Sequence, residues 1–64
     1  MADFRVHNQG SVVGFTPVSG AARAFIEDEV ASEPWQWLGS TLWVDWRAAQ
    51  GLVDFIGENG FSIK

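Results

Sequence analysis

No cysteine occurs in this chain of 64 residues, and that absence sets the terms on which it can fold. A polypeptide of this length buries only about 60% of the surface its unfolded form exposes. Disulfides cannot compensate, and neither can a thiolate-bound zinc. Apolar packing must hold the fold. The composition meets that demand, with 47% hydrophobic and 14% aromatic residues. All four tryptophans fall in one stretch, EPWQWLGSTLWVDW, at residues 33–46. They bring large apolar area with few torsions to freeze.

The pattern along the chain predicts a single domain over residues 1–64. FRVH (4–7) and SVVGFT (11–16) alternate in polarity around Asn8-Gln9-Gly10, whose Asn and Gly tolerate a positive φ. Two such runs read as a β-hairpin, and Pro17 ends the second strand by removing an amide donor. Ser19 is placed to N-cap a helix running to about Ala31. Its inward stripe is Ala22, Phe25, Ile26 and Val30, and Arg23 can pair with Glu27 one turn on. Residues 32–40 read as a connection, TLWV (41–44) as a third strand, and Asp45 as the cap of a second helix. That helix opens at Trp46 and carries Ala49, Leu52, Val53 and Ile56 inward; Asn59 or Gly60 closes it. FSIK (61–64) reads as a last strand, with Phe61 and Ile63 pointing one way. The expected fold is an α+β two-layer sandwich in ββαβαβ order, with both helices on one face of a four-stranded mixed sheet.

Within that frame the tryptophans separate. Trp46, opening the second helix near the sheet, is expected to be at least half-buried. Leu42 and Val44 look inward, which puts Trp43 on the opposite face of the sheet. Trp35 and Trp37 flank Gln36 in a loop, where only one need pack inward. A platform for stacking bases requires interleaved lysine or arginine, whereas this stretch offers Glu33, Asp45 and only Arg47. Most of the cluster therefore reads as core, with Trp35 as the outward candidate.

Eight acids stand against Arg5, Arg23, Arg47 and Lys64, a formal net charge of −4. That balance argues against free nucleic acid as a partner, because phosphate neutralisation needs a basic surface. It favours attraction to basic sites on other macromolecules. No apolar run approaches a membrane span and no secretory pattern opens the chain, so the expected setting is cytoplasmic.

The sharpest local signal is Glu27-Asp28-Glu29. Successive helical residues turn by about 100°, so the three carboxylates spread over roughly 200° of arc and cannot converge on one cation. They also occupy the last turns of their helix, where the macrodipole disfavours negative charge. Glu33 extends this acidic edge, and Asp54 and Glu58, one turn apart on the second helix, enlarge the total. His7 has neither a cysteine nor a second histidine to work with. The serines lack a nucleophile-elbow arrangement, and the glycines lack a phosphate-cradling spacing. The expectation is a non-enzymatic protein with no cofactor and no metal.

Asn8-Gln9-Gly10-Ser11, Pro17, Ala21-Ala22, Trp37 with Gly39, Val44, Arg47, Val53 and Gly60-Phe61 resemble a group of small bacterial and prophage proteins of about this length. Those shared residues are a turn, a strand end, a packing tryptophan and a helix cap, so the resemblance implies a fold and no activity. In that group the stretch after the third strand tends to read proline-arginine-tyrosine, where this chain has Asp45-Trp46-Arg47. In size, acidity and lack of cysteine the chain is also similar to phage-encoded anti-CRISPR proteins. Several of those that block type I interference complexes place carboxylates where DNA phosphates would lie.

The similarity implies an inhibitor that occupies a basic, DNA-accepting surface of a CRISPR–Cas subunit. Glu27, Asp28, Glu29, Glu33, Asp54 and Glu58 would supply charge, and Trp35 an apolar anchor. The alternative is a structural or regulatory module that forms a homodimer through the exposed Trp43 face.

Overall fold

The structure, a computed structural model, describes residues 2–30 and 36–63. Its elements run β1 (Phe4–Asn8), β2 (Val12–Pro17), α1 (Gly20–Glu29), β3 (Trp37–Leu38), β4 (Thr41–Asp45) and α2 (Trp46–Glu58). The four strands form one sheet in the order β1-β2-β4-β3, with every neighbouring pair antiparallel. This α+β fold corrects the expected ββαβαβ order to ββαββα, and the expected mixed sheet to an antiparallel one.

Two local features cause the difference. Gly39 and Ser40 form a two-residue turn between the Leu38 and Thr41 partners. Gly39 takes the left-handed φ of 63° there, the conformation the first central position of a type II′ hairpin turn requires. Trp37 and Leu38 are thereby drawn into the sheet from a stretch expected to be a plain connection. At the other end, residues 61–63 form no strand, and Lys64 lies outside the described residues. Ile63 makes a single parallel bridge to Phe4, and the Ser62 carbonyl accepts from the amides of Asp3 and Phe4 at 3.0 and 3.1 Å.

The register sorts the strand residues by face. Val6 sits opposite Phe15, Phe15 opposite Leu42, Val13 opposite Val44, and Trp37 opposite Leu42. These side chains join Phe4 under both helices, where Ala22, Ile26, Ala49, Leu52 and Ile56 complete one buried cluster. Phe61 closes the edge of that cluster. Its ring meets Phe4 edge-on at 6.0 Å and lies 4.8 Å from Phe25, which in turn lies 5.4 Å from Phe55. Arg5, His7, Val12, Gly14, Thr16, Leu38, Thr41 and Trp43 alternate onto the opposite face, which no helix covers.

Each helix is fixed at its start. The Ser19 hydroxyl accepts from the Ala22 amide at 3.1 Å, and the Asp45 carboxylate accepts from the Arg47 amide at 2.8 Å. Both serve N-terminal amides that have no partner inside their helix. Because β2 and β4 are antiparallel and each feeds a helix, α1 and α2 begin at opposite ends of the sheet. The α2 stripe is narrower than its spacing suggests. Ala49, Leu52 and Ile56 are buried, but Val53 is 37% exposed.

Candidate functional site

Carboxylates on the helical side, and the grooves beside them, are the features with chemical potential. Glu27, Asp28 and Glu29 are all exposed in the last turn of α1, and neither helix has a basic residue in its last turn. The expected Arg23–Glu27 pair is present, with Nε to Oε2 at 3.5 Å. The same guanidinium lies 6.0 Å from the centroid of the Trp37 ring, so Arg23 bridges α1 to the edge strand. Asp28 and Glu29 have no cationic partner among the described residues.

Asp54 and Glu58 are exposed on α2, but the fold does not add them to the α1 carboxylates. Phe55 turns toward α1 and packs on Phe25, whereas Asp54 lines a groove on the far flank of α2 with Asn8 and Val13. Glu58 closes α2, whose following residues reach Asp3 beside the start of α1, while Glu27–Glu29 stand at the other end of α1. The described helical carboxylates therefore form separate groups and not one continuous face. Glu33 and Trp35 lie outside the described residues.

Two other carboxylates have structural work. Asp45 caps α2. Asp3 accepts from the Ser62 amide at 3.0 Å and from the Ser19 hydroxyl at 3.2 Å, tying the segment after α2 and the α1 cap to β1. The Ser62 N–H is the main reason that the Asp3 carboxyl is held below its ordinary range. Desolvation opposes the shift, and the Ser19 and Ser62 hydroxyls add to it.

Two grooves flank β4 and α2. One, of about 460 Å³, is lined by Asn8, Val13, Trp46, Ala49, Gln50, Val53 and Asp54. Trp46 is 48% exposed along it, and the Arg47 guanidinium sits 5.5 Å from its ring centroid. The other, of about 410 Å³, is lined by Val12, Gln36, Leu38, Trp43, Val44 and Asp45. Trp43 lies on the open sheet face as expected, over Gly14, where a Cβ would come within 2.9 Å of its ring. Leu38 is 74% exposed on the same face and Val12 40%.

Sequence reasoning missed the groove along α2. Trp46, Ala49, Gln50, Val53 and Asp54 recur at i, i+3, i+4, i+7 and i+8, a helix-face signal that was present but merged with the core stripe. Among the described residues no three His, Asp or Glu side chains are grouped to hold a metal ion, and no helix is long and apolar enough to cross a membrane. No family model, curated protein or solved structure matches the chain.

Proposed function

We propose that this protein acts by binding, presenting the carboxylate end of α1 to a basic surface on a protein partner. The observation that carries the proposal is the exposed Glu27-Asp28-Glu29 turn, in which, among the described residues, only Glu27 has a counter-ion. Negative charge there opposes the helix macrodipole at a cost of about 0.3–1 kcal/mol per residue. Stability favours a cation at these positions, so the carboxylates are better suited to a role outside the fold. Their spread around the helix suits several separate cations on a surface, not one metal ion. Charge of this kind chiefly accelerates encounter and selects the partner. Asp54 and Glu58 present charge on a second helix, and Glu33 and Trp35 remain candidate members of the surface.

The particular partner we propose is the DNA-accepting surface of a type I CRISPR interference complex, where carboxylates would stand in for phosphates. Binding to the purified complex, with DNA as competitor, tests both levels. The expected result is competition with DNA, affinity that falls at least tenfold between about 50 and 300 mM salt, and a comparable loss in the E27Q/D28N/E29Q variant. Salt-independent binding, or an unaffected triple variant, rejects the electrostatic reading. Absence of binding to the complex rejects this target.

A second reading is favoured by the open sheet face, where Val12, Trp43 and Leu38 have no covering layer among the described residues. Apolar surface of this kind marks interaction sites, and a second copy could cover it. Sedimentation velocity distinguishes the two readings. A dimer abolished by Leu38→Lys supports self-association, and a monomer at high concentration removes it.

A further inference from the structure

We infer that the groove between α2 and the β1–β2 hairpin is a seat for one arginine side chain of the protein partner. This rests on the proposed binding role and names the chemistry of one contact. The groove is two-toned. Its floor is Val13 and Ala49, both buried, and Val53 and Trp46 add partly exposed apolar walls. Its polar members are Asn8, Gln50 and Asp54; the Asn8 oxygen already accepts from the Gly10 amide at 2.9 Å, so Gln50 and Asp54 supply the acceptors for a ligand, and no cation is among the described residues that line it.

Asp54 has no ion-pair or hydrogen-bond partner among the described residues: Arg23 is held by Glu27 and Trp37, Arg47 lies over Trp46, and Arg5 stands on the open face of the sheet. An anionic ligand would meet Asp54 with nothing to offset it. A purely apolar ligand would desolvate that carboxylate without a partner.

Arginine matches each part. Its methylene stem covers apolar floor while its head stays at a polar rim. The guanidinium has five N–H donors and no acceptor, which fits a rim of acceptor oxygens, and it pairs with a carboxylate through two parallel hydrogen bonds. Trp46 already holds one guanidinium, that of Arg47, at 5.5 Å from its ring centroid. Trp46 lines the groove and Arg47 does not. Lysine would satisfy the charge but not the planar, two-pronged contact. Asp54 lies in the third turn of α2, beyond the N-terminal turn where the macrodipole would oppose a cation.

The test is a titration of the intact chain with N-acetyl-Gly-Arg-Gly-amide, following the indole N–H of Trp46 and the side-chain amide of Gln50 by NMR. The neutral isostere citrulline replaces arginine in a control peptide. The expected result is saturable shifts at millimolar peptide, at least fivefold weaker with citrulline and in Asp54→Asn, and unchanged in E27Q/D28N/E29Q. Asp54 is exposed, so an unaltered circular dichroism spectrum verifies that Asp54→Asn remains folded. Equal shifts with arginine and citrulline, or an undiminished response in Asp54→Asn, overturns the inference.

The outcome also separates this inference from the reading beneath it. If Asp54→Asn leaves both peptide and partner binding intact while the α1 variant loses the partner, only the groove assignment fails. If the peptide seats at Asp54 but partner binding ignores salt and the α1 variant, only the acidic-surface reading fails.

Discussion

The helix-covered and open faces of the sheet come from alternate residues of the same strands, yet they have opposite fates. Phe4, Phe15 and Leu42 on one side have no exposed surface at all, while on the other side Leu38 keeps 74% of its own. The difference is not one of hydrophobicity, since Trp43, Val12 and Leu38 are as apolar as many core residues. It is one of supply. Two helices of 10 and 13 residues roof one face of the four-stranded sheet, and no other described helix or strand lies over the other. The open face is finished locally instead. Trp43 lies over Gly14, and Thr16 and Thr41 share a hydrogen bond at 2.7 Å. Such finishing removes water from a ring and a pair of hydroxyls without building a second core.

The largest test of that contrast is paired truncation. Phe15→Ala leaves a cavity under both helices and is expected to cost about 3–5 kcal/mol. That is most of the roughly 3–10 kcal/mol available to a domain of this size. Trp43→Ala removes a ring that is only partly buried and is expected to cost roughly 1–1.5 kcal/mol, about half the value for full burial of a large apolar side chain. Urea midpoints measure both. Equal losses would mean that the open face contributes to stability as a second core does.

A smaller effect probes how the open face is finished. A Cβ on Gly14 would meet Thr41 Cγ2 and two Trp43 ring atoms at 2.9 Å, so Gly14→Ala must push the ring off the strand. The expected cost is about 1–3 kcal/mol. In a Trp43→Ala background much of this cost should disappear, because the ring is no longer there to displace. Additive losses in the double variant would show that the glycine serves the backbone and not the tryptophan.

This contrast also explains what was legible in the sequence. Where one face is buried, alternation and capping carry a strong signal. The β1–β2 hairpin, the Ser19 and Asp45 caps and the inward Ile26, Leu42 and Ile56 could all be read from spacing. Where burial is weak the pattern misleads. Trp37-Leu38 is too short to show alternation, and its only marker was the Gly39-Ser40 turn, a hairpin dipeptide whose meaning depends on having strands on both sides. Phe61 and Ile63, expected to point one way, both pack against the core. Their alternation is satisfied by one bridge and by packing on Phe4 and Phe25, so it does not require a strand. The candidate site was legible only as composition. That Asp54 turns away from the α1 carboxylates follows from how Phe55 meets Phe25, a contact between distant segments that no local spacing encodes.

The covering layer is fastened at one end by Asp3, which gives the contrast a pH dependence. Its carboxyl is held below the ordinary range when folded. It therefore contributes stability that is present above the unfolded carboxylate value and lost as pH falls through the folded one. The melting temperature of Asp3→Asn should lie below that of the parent at neutral pH by a constant margin. The margin should close in acid. A margin that persists in acid would assign Asp3 a role independent of its charge.

The smallest expected effect lies on the outer side of the helices, and it runs opposite to the others. Glu29→Lys removes a like charge from the Glu27-Asp28-Glu29 turn and places a cation where the α1 carbonyls end. The expected gain is about 0.3–1 kcal/mol in stability, largest at low salt. Neither sheet face is touched, so the gain should be the same in the Trp43→Ala background. If the acidic turn exists for a partner, the same substitution should weaken binding while it strengthens the fold. Stability and affinity would then move in opposite directions at a single residue. A variant that gains stability and keeps full affinity would reduce the α1 carboxylates to ordinary solvated surface, leaving the open sheet face as the part of this molecule still in want of a partner.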